Sequence, residues 1–280
     1  MKLFIDSCSD LSLERAKELD IEVLPLKIQL DDKSYLDQLE ITSDEVITAI
    51  KEGKRPLTSQ PNPESYFELF EAYVKEGTPI IYLGFSSELS GAFQSSVIAR
   101  DNILEQHPEA DITLIDSSAA SYGLGMLVER AASYIKNGDD KDKIIKNIET
   151  DVAMIRHLFT VDDLNYLAKG GRLSKGSAFL GGLLNIKPLL HVENGQLVPV
   201  EKHRGLKKVF RRMTELVKNE RATGLAHITH ADAKENAELL KAQILENTDI
   251  TEVKISSIGP TISSHTGAGT VALFYFQDGR

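Results

Sequence analysis

Short apolar runs rich in β-branched and aromatic residues alternate along this chain with longer segments of helical periodicity. In the first half the runs are Lys2 to Asp6, Pro79 to Gly84 and Asp111 to Asp116. Helical segments from Ala92 to Gln106 and from Gly123 to Lys136 follow the last two. Alternation of this kind is typical of a largely parallel sheet with helices on both faces. The sequence therefore predicts an α/β fold.

Two further helices are predicted before the strand that starts at Pro79. Ser43 is the expected N-cap of a helix over residues 43–52. A second helix is expected over residues 63–76, where Gly77 follows as a stop signal. Both helices would help to cover the sheet.

The chain changes character near residue 155. Beyond it, the runs Leu189 to Val192 and Leu197 to Lys202 flank Asn194-Gly195, a pair that favours the tight turn of a β-hairpin. A chain of 280 residues is long enough to form two modest cores. We therefore predict an N-terminal α/β domain over residues 1–155 and a C-terminal α+β sandwich domain over residues 156–280.

Charge and cysteine content narrow the class of protein. The formal net charge of −10 argues against nucleic acid as a partner, because binding to phosphates needs concentrated positive charge. Cys8 is the single cysteine, which excludes an internal disulfide and fits a reducing compartment. No apolar run reaches the roughly 18 residues of a membrane-spanning helix, and the chain opens on a predicted strand instead of a signal peptide. We expect a cytoplasmic protein.

Four predicted loops set small hydroxyl side chains, or a histidine, beside glycine or proline. Hydroxyl groups donate rotatable hydrogen bonds, glycine lets backbone N–H groups approach closely, and imidazole adds a further donor. Two of the loops follow predicted strands, which is where α/β proteins bind anions. We therefore predict an anion site of uncharged donors in the loops Thr58 to Pro61, Ser86 to Gly91, Asp116 to Ser118 and Ser263 to Gly267.

A serine hydrolase fits the same loops poorly. In the segment Gly84-Phe85-Ser86-Ser87-Glu88, glutamate stands where a nucleophile elbow needs its second glycine. An esterase or acyl-transfer enzyme that uses Ser90 with His265 nevertheless stays open as an alternative.

Nucleotide and metal sites are not indicated. Gly123-Leu124-Gly125 lacks the third glycine of a dinucleotide-binding turn, and Ser177 stands where a P-loop has lysine. His227 and His230 are the only closely spaced histidines, and their spacing in a strand directs them to opposite faces. We therefore expect neither a metal nor a cofactor.

Six segments follow one another in a specific order and spacing over nearly the whole chain. They are Asp6 to Leu11, Thr58 to Pro61, Gly84 to Ser95, Leu164 to Ser174, Asn185 to Leu190 and Ile258 to Gly269. Together they resemble the DegV family. Departures are minor, with Ala92 and Ser263-Ser264 at positions where other residues are common in the family.

The resemblance implies a protein that binds a long-chain fatty acid between two domains. It implies that Thr58 and Ser90 hold the carboxylate and that His265 lies near it. Four further residues of these motifs and of the predicted hairpin are expected to support the site: Ser59, Ser87, Gly91 and Arg204.

In the best-understood branch of that family, the protein is the carrier subunit of a bacterial fatty acid kinase. The resemblance therefore implies a separate ATP-binding kinase subunit as partner. That subunit converts the presented carboxylate to an acyl phosphate for phospholipid synthesis. A lipid-responsive regulatory protein, whose bound lipid reports supply, stays open as an alternative.

Burial of the acyl chain is expected to dominate affinity. Each buried methylene contributes roughly 0.8 kcal/mol, so a chain of about fifteen contributes on the order of 12 kcal/mol before association costs. Paired glycines in the apolar segment Phe179 to Leu184 suggest either a mobile flap or a tight loop packed on the core. Candidate lining residues, each equally compatible with ordinary core, are Phe93, Phe179, Leu180, Leu183, Leu184, Ile186, Phe274 and Phe276.

Basic residues of the second half form a patch in an otherwise acidic chain. Arg172, Lys175 and Lys202 are candidate docking residues for an acidic kinase subunit. The same patch leaves transient contact with anionic lipid open, and a solvated helix face is the alternative reading.

Overall fold

A computed structural model of the protein describes residues 1–173 and 186–277. In chain order, its strands are β1 (Lys2–Asp6), β2 (Ile21–Leu24), β3 (Lys27–Leu30), β4 (Lys33–Leu36), β5 (Leu57–Ser59), β6 (Ile80–Gly84), β7 (Ile112–Asp116), β8 (Ile155–Thr160), β9 (Ile186–Glu193), β10 (Gln196–Arg204), β11 (Thr223–His230), β12 (Asp249–Ser257) and β13 (Val271–Phe276). Its helices are α1 (Leu13–Glu18), α2 (Ser43–Lys51), α3 (Pro63–Val74), α4 (Ala92–Gln106), α5 (Tyr122–Lys136), α6 (Lys141–Met154), α7 (Leu164–Lys169), α8 (Leu206–Asn219), α9 (Lys234–Asn247) and α10 (Pro260–Thr266).

The first sheet is parallel throughout, in the order β2-β1-β6-β7. Side chains alternate along β1, so Phe4 points to the face covered by α3 and α4, while Leu3 and Ile5 point to the face covered by α5 and α6. The predicted α/β arrangement is therefore confirmed.

The second sheet is mixed, in the order β10-β9-β8-β13-β11-β12. Only the pair β11 and β12 is parallel among its described strand pairs. Helices α8 and α9 cover one face, where Phe210 and Leu240 are buried. The opposite face contributes Phe159 and Phe274 to the core that also holds Leu127 of α5. The predicted α+β layering is confirmed, and one core extends from the first sheet to the second.

A boundary at residue 155 falls where α6 ends and β8 begins. Because the largest core includes residues from both sides of that point, the division into two domains stays a prediction. The predicted contributions of Lys175 and of residues 179–184 lie outside the described residues.

The sequence predicts a strand region over residues 21–30, which contains β2 and β3, but it does not predict β4, β5, α1 or α10. The short strands β3, β4 and β5 form an antiparallel sheet of their own in the order β4-β3-β5. Residues Ser263 to Thr266, predicted as loop, belong to the helix α10. Helix α1 was also missed, since its six residues include a single buried side chain, Ala16.

The predicted cap of α2 is off by one residue. Thr42, not Ser43, is the N-cap: its hydroxyl accepts a hydrogen bond from the backbone N–H of Glu45 at 3.3 Å, and the Glu45 carboxylate accepts one from the backbone N–H of Thr42 at 2.8 Å. This reciprocal pair is a capping box, which requires Thr and Glu three residues apart. The Ser43 hydroxyl instead donates to the carbonyl of Ile258, which joins α2 to the segment before α10.

Gly123, in the first turn of α5, lets this helix approach β8 closely. A Cβ atom at this position would lie 2.0 Å from Nε2 of His157. The same Nε2 accepts a hydrogen bond from the backbone N–H of Ala120 at 3.3 Å. A side chain at position 123 would therefore disturb the contact that joins α5 to the second sheet.

We expect Gly123→Ala to lower the free energy of unfolding by about 1–3 kcal/mol, because the added methyl group must displace the buried ring of His157. This cost outweighs the gain of roughly 1 kcal/mol in helix propensity. Urea unfolding followed by circular dichroism measures the change. Ser133→Ala, at an exposed position of the same helix, is the control and should stay within about 0.5 kcal/mol of wild type. Equal stabilities of the two variants would contradict the steric explanation.

Candidate functional site

A cavity lies between the carboxyl ends of the parallel strands and the inner face of the second sheet. It encloses about 850 Å³ between its lining atoms, with its open mouth included. The topology explains its position, because loops that leave neighbouring parallel strands at their carboxyl ends form a crevice there. Its lining residues include Cys8, Thr58, Gln60, Phe85, Leu89, Ser90, His157, Phe159, Arg172, His265, Thr266 and Phe274.

One end of this cavity contains a hydrogen-bonded pair. Oγ1 of Thr58 and Nε2 of His265 are 2.7 Å apart. Thr58 is held on β5, where it pairs with Ile28 of β3, and His265 projects from the last turn of α10. Strand β5 and helix α10, neither of them predicted from sequence, thus bring together two residues that are 207 positions apart in the chain.

Ser90 reaches the same cavity through a close approach of two loops. A Cβ atom on Gly91 would lie 2.4 Å from the side-chain amide nitrogen of Gln60, so the absence of a side chain at 91 allows the two loops to touch. The Ser90 hydroxyl accepts a hydrogen bond from the backbone N–H of Ala92 at 3.2 Å, at the start of α4. Gln60 also lines the cavity, although it was not a predicted site residue. Its position between serine and proline in the first hydroxyl loop was the available signal.

Arg172, a predicted docking residue, lies in the cavity wall, and its role in docking stays a prediction. Its guanidinium donates to the carbonyl of Gly170 at 2.7 Å and to that of Leu89 at 3.3 Å. Gly171, with φ of +76°, turns the chain back after α7 so that the arginine can reach this wall. The polar end therefore contains a positive charge as well as the uncharged donors expected from sequence.

His265 is neutral at physiological pH. Burial of the ring, together with the positive charges of Arg172 and Arg55, lowers its pKa to about 4. The imidazole can then donate one hydrogen bond and accept another. It adds no charge of its own to the polar end.

The geometry does not favour a serine nucleophile. Within the described residues, Nε2 of His265 is hydrogen-bonded to Thr58 and shows no hydrogen bond to Ser90. The same part of the chain shows no carboxylate paired with His265, which an activated serine site would use to orient its base. An imidazole with a pKa of about 4 is also a weak base at neutral pH.

Three of the predicted supporting residues do not reach the cavity wall. Ser59 follows Thr58 on β5 and therefore points to the opposite, exposed side. The exposed Ser87 donates its hydroxyl to the Asp116 carboxylate at 2.5 Å. Arg204 is exposed at the far end of β10, opposite Ile186.

The hairpin explains why Arg204 lies far from the site. Its turn contacts the second hydroxyl loop, because the Ser86 hydroxyl donates to the carbonyl of Gly195 at 2.8 Å and Gln196 donates to Glu88 at 2.6 Å. Arg204 lies eight residue steps along the extended strand from Gln196, which corresponds to about 25 Å. Lys202 is exposed on the same distal part of β10.

The rest of the cavity wall is mainly apolar. Phe85, Leu89, Phe159 and Phe274 are among its lining residues, and Phe274 was a predicted one. The predicted Phe93 instead stacks on Tyr82 in the core beneath α3 and α4. The ring of the predicted Phe276 lies 3.4 Å from the guanidinium of Arg130, and the predicted Ile186 begins β9.

Titratable groups in this inner wall are uncharged. Burial raises the pKa of the Cys8 thiol well above its usual value. Burial and the charge of Arg156 lower the pKa of His157 to about 3. An apolar chain would therefore meet neutral groups along the cavity.

Asp6, at the carboxyl end of β1, fixes the loops that build the site. Its carboxyl group accepts hydrogen bonds from the backbone N–H groups of Phe85 at 2.8 Å and Cys8 at 3.0 Å, and from the Tyr82 hydroxyl at 3.1 Å. Burial raises the pKa of Asp6 despite these donors. The contact holds the loop after β6 against the end of β1.

Two findings concern metal binding and membrane-spanning helices. Among residues 1–173 and 186–277, no three His, Cys, Asp or Glu side chains are grouped so that they could hold a metal ion. Over the same ranges, the helices are too short or too polar to cross a bilayer.

Comparisons with known proteins agree with this architecture. A family model described as "Uncharacterised protein, DegV family" matches residues 1–278. The chain belongs to the DegV family. A DegV domain-containing protein of Clostridium perfringens is 40% identical over 283 aligned positions, which cover 99% of this chain and 97% of that protein.

Solved structures of DegV proteins share the whole fold. A DegV family protein from Thermus thermophilus, described as binding fatty acid, has a TM-score of 0.91 at 29% identity and covers 99% of both chains. A fatty acid binding DegV family protein from Streptococcus agalactiae has a TM-score of 0.88 at 32% identity and covers 99% of this chain and 98% of that one.

The buried imidazole of His265 makes stability depend on pH. Its pKa of about 4 in the folded protein is below the usual value of 6.5, so between these values the unfolded chain binds the extra proton. We expect the difference in unfolding free energy between wild type and His265→Gln to fall as pH decreases from 7 to 5. The slope should be at most about 1.4 kcal/mol per pH unit, measured by urea unfolding at each pH.

Thr58→Val is the control for this experiment. It removes the hydrogen bond to the ring but leaves the buried imidazole in place, so its stability should keep the wild-type dependence on pH. A difference between wild type and His265→Gln that stays constant from pH 7 to 5 would contradict the expectation.

Proposed function

We propose that this protein binds a long-chain fatty acid in the cavity between its two sheets. The single observation that carries this proposal is a cavity with apolar walls and one polar end, where Thr58, Ser90, His265 and Arg172 converge. An amphipathic molecule with one anionic head and a long apolar tail matches that division. The related proteins from Thermus thermophilus and Streptococcus agalactiae that bind fatty acid support the choice of ligand.

The head group would be held by charge and hydrogen bonds together. The Arg172 guanidinium compensates the carboxylate, which removes the large cost of burying an unpaired charge. Hydroxyl groups of Thr58 and Ser90 supply short, directional hydrogen bonds. Neutral His265, bonded to Thr58, orients that hydroxyl toward the cavity.

The tail would supply most of the affinity. Burying methylenes contributes roughly 0.8 kcal/mol each, far more in total than one compensated head group contributes. The neutral inner wall, including the thiol of Cys8 and the ring of His157, avoids burying a charge beside the tail. In this arrangement the head group determines the orientation of the bound fatty acid, and the tail determines most of its affinity.

The finer role we propose is presentation of the carboxylate to a separate ATP-binding kinase subunit. A carboxylate oxygen would attack the γ-phosphorus of the nucleotide, the bond to the β-phosphate oxygen would break, and acyl phosphate and nucleoside diphosphate would leave. Two features support a partner-held nucleotide: the sequence has serine at position 177, where a P-loop has lysine, and the polar end includes the exposed side chain of Gln60.

We expect the double variant Thr58→Ala, Ser90→Ala to bind palmitate at least tenfold more weakly than wild type, because two head-group donors are lost. Titration calorimetry on delipidated protein measures the dissociation constant, and native mass spectrometry detects lipid that co-purifies. Ser87→Ala is the matched control from the same loop, since that hydroxyl is bonded to Asp116 and should leave affinity unchanged. Wild-type affinity in the double variant would refute the assigned head-group site.

We expect palmitate-loaded protein to yield acyl phosphate when it is mixed with ATP and the ATP-binding subunit of a fatty acid kinase from the same organism. Trapping with hydroxylamine, followed by mass spectrometry of the hydroxamate, measures the product. The protein without that subunit should give none. Full loading with palmitate but no hydroxamate in the complete mixture would exclude the carrier role while leaving lipid binding intact.

A further inference from the structure

A second cleft lies against the wall that ends the fatty-acid cavity. Thr266 lines both spaces, so the two adjoin at this residue. The second cleft encloses about 960 Å³, open mouth included, and we call it the cationic cleft. Its lining residues are Ile50, Gly53, Lys54, Arg55, Asp163, Tyr166, Lys169, Thr266, Gly267 and Ala268.

The charge of this cleft is opposite to that of the whole chain. Lys54, Arg55 and Lys169 line it, in a protein whose formal net charge is −10. Within the described residues, neither Arg55 nor Lys169 has a carboxylate within 4.0 Å, whereas Lys54 is paired with Asp31 at 3.1 Å. Two cations therefore face the cleft without an acidic partner in that part of the chain.

The Arg55 side chain is held in position, and the one acidic residue among the lining residues already accepts a hydrogen bond. The Arg55 guanidinium donates to the carbonyl of Lys169 at 2.6 Å, which joins the segment before β5 to the end of α7. Asp163 is the N-cap of α7, and its carboxylate accepts from the backbone N–H of Asn165 at 2.8 Å. The cleft keeps a net positive charge.

Thr266 is the buried polar residue of the shared wall. Its side chain is only 7% exposed, and its hydroxyl finds no hydrogen-bond partner among the described residues. Because this oxygen is enclosed by the protein, Arg55 and Lys169, and not the Thr266 hydroxyl, provide the contacts of the cleft.

We propose that the cationic cleft binds a phosphoryl group beside the polar end of the fatty-acid cavity. This proposal rests on the proposed carrier function and deepens it. The carboxylate carries one negative charge and has Arg172 as its partner, whereas an acyl phosphate carries up to two negative charges, both on its phosphoryl group, which also adds three acceptor oxygens. Arg55 and Lys169 match those charges and acceptors.

The same chemistry has two sources, which the experiment separates. The phosphoryl group can belong to the acyl phosphate, which carries the acyl tail, or to the nucleotide of the partner, which does not. A stable mimic of the first is 2-oxoheptadecylphosphonate, in which CH₂ replaces the bridging oxygen of palmitoyl phosphate. Tripolyphosphate is the tailless probe, and palmitate tests the fatty-acid cavity alone.

The test compares wild type with the double variant Arg55→Gln, Lys169→Gln by titration calorimetry. We expect the double variant to bind 2-oxoheptadecylphosphonate about tenfold more weakly and to bind palmitate within twofold of wild type. If the double variant loses affinity for tripolyphosphate alone, the result would support the cleft as a site for the nucleotide's phosphates. Unchanged affinity for both phosphorus probes, or equal weakening of phosphonate and palmitate, would overturn the proposal.

Two controls keep the outcome interpretable. Lys208→Gln with Arg211→Gln removes the same two charges from the exposed face of α8 and should leave all three affinities unchanged. Arg55→Lys keeps the positive charge and should restore most of the phosphonate affinity when Lys169 is intact, even if the glutamine variant is destabilised. If the wild-type protein does not bind palmitate, that result would refute the proposed function itself.

Discussion

The buried carboxyl group of Asp6 is the contact on which the geometry of this protein depends. It stands at the carboxyl end of β1 and accepts hydrogen bonds from the backbone of the loop after β6, from Cys8, and from the Tyr82 hydroxyl. Buried backbone N–H groups need partners, and here one side chain serves two of them. The loop that carries Ser90 thereby starts from a fixed point.

From that point the site is assembled by contacts between parts of the chain that are distant in sequence. Gly91 admits the Gln60 side chain, Ser86 bonds to the hairpin turn at Gly195, and His265 bonds to Thr58. Each contact crosses from one structural layer to another, so the cavity exists only when the layers are in place. The polar end then orients a ligand, and the apolar end supplies most of the binding free energy.

The site also shows how local charge can differ from total charge. In a chain with a net charge of −10, Arg55, Lys169 and Arg172 are concentrated around one wall. Their effect is visible in His265, whose pKa is lowered by burial and by two of these arginines. Net charge correctly argues against broad binding to polyanions, but it gives no information about a site of a few ångströms.

The sequence by itself determined the α/β alternation, most helix and strand limits, and which motifs carry Thr58, Ser90 and His265. Those features depend on local periodicity, caps and turns, as for β1 and α4, which have the predicted bounds. Only the tertiary structure decided that Arg172 and Gln60 join the cavity, that Ser59, Ser87 and Arg204 do not, and that α10 is helical. The reason is physical: strands of three or four residues and a serine-rich helix have weak local signals, and long-range packing alone fixes where their side chains meet.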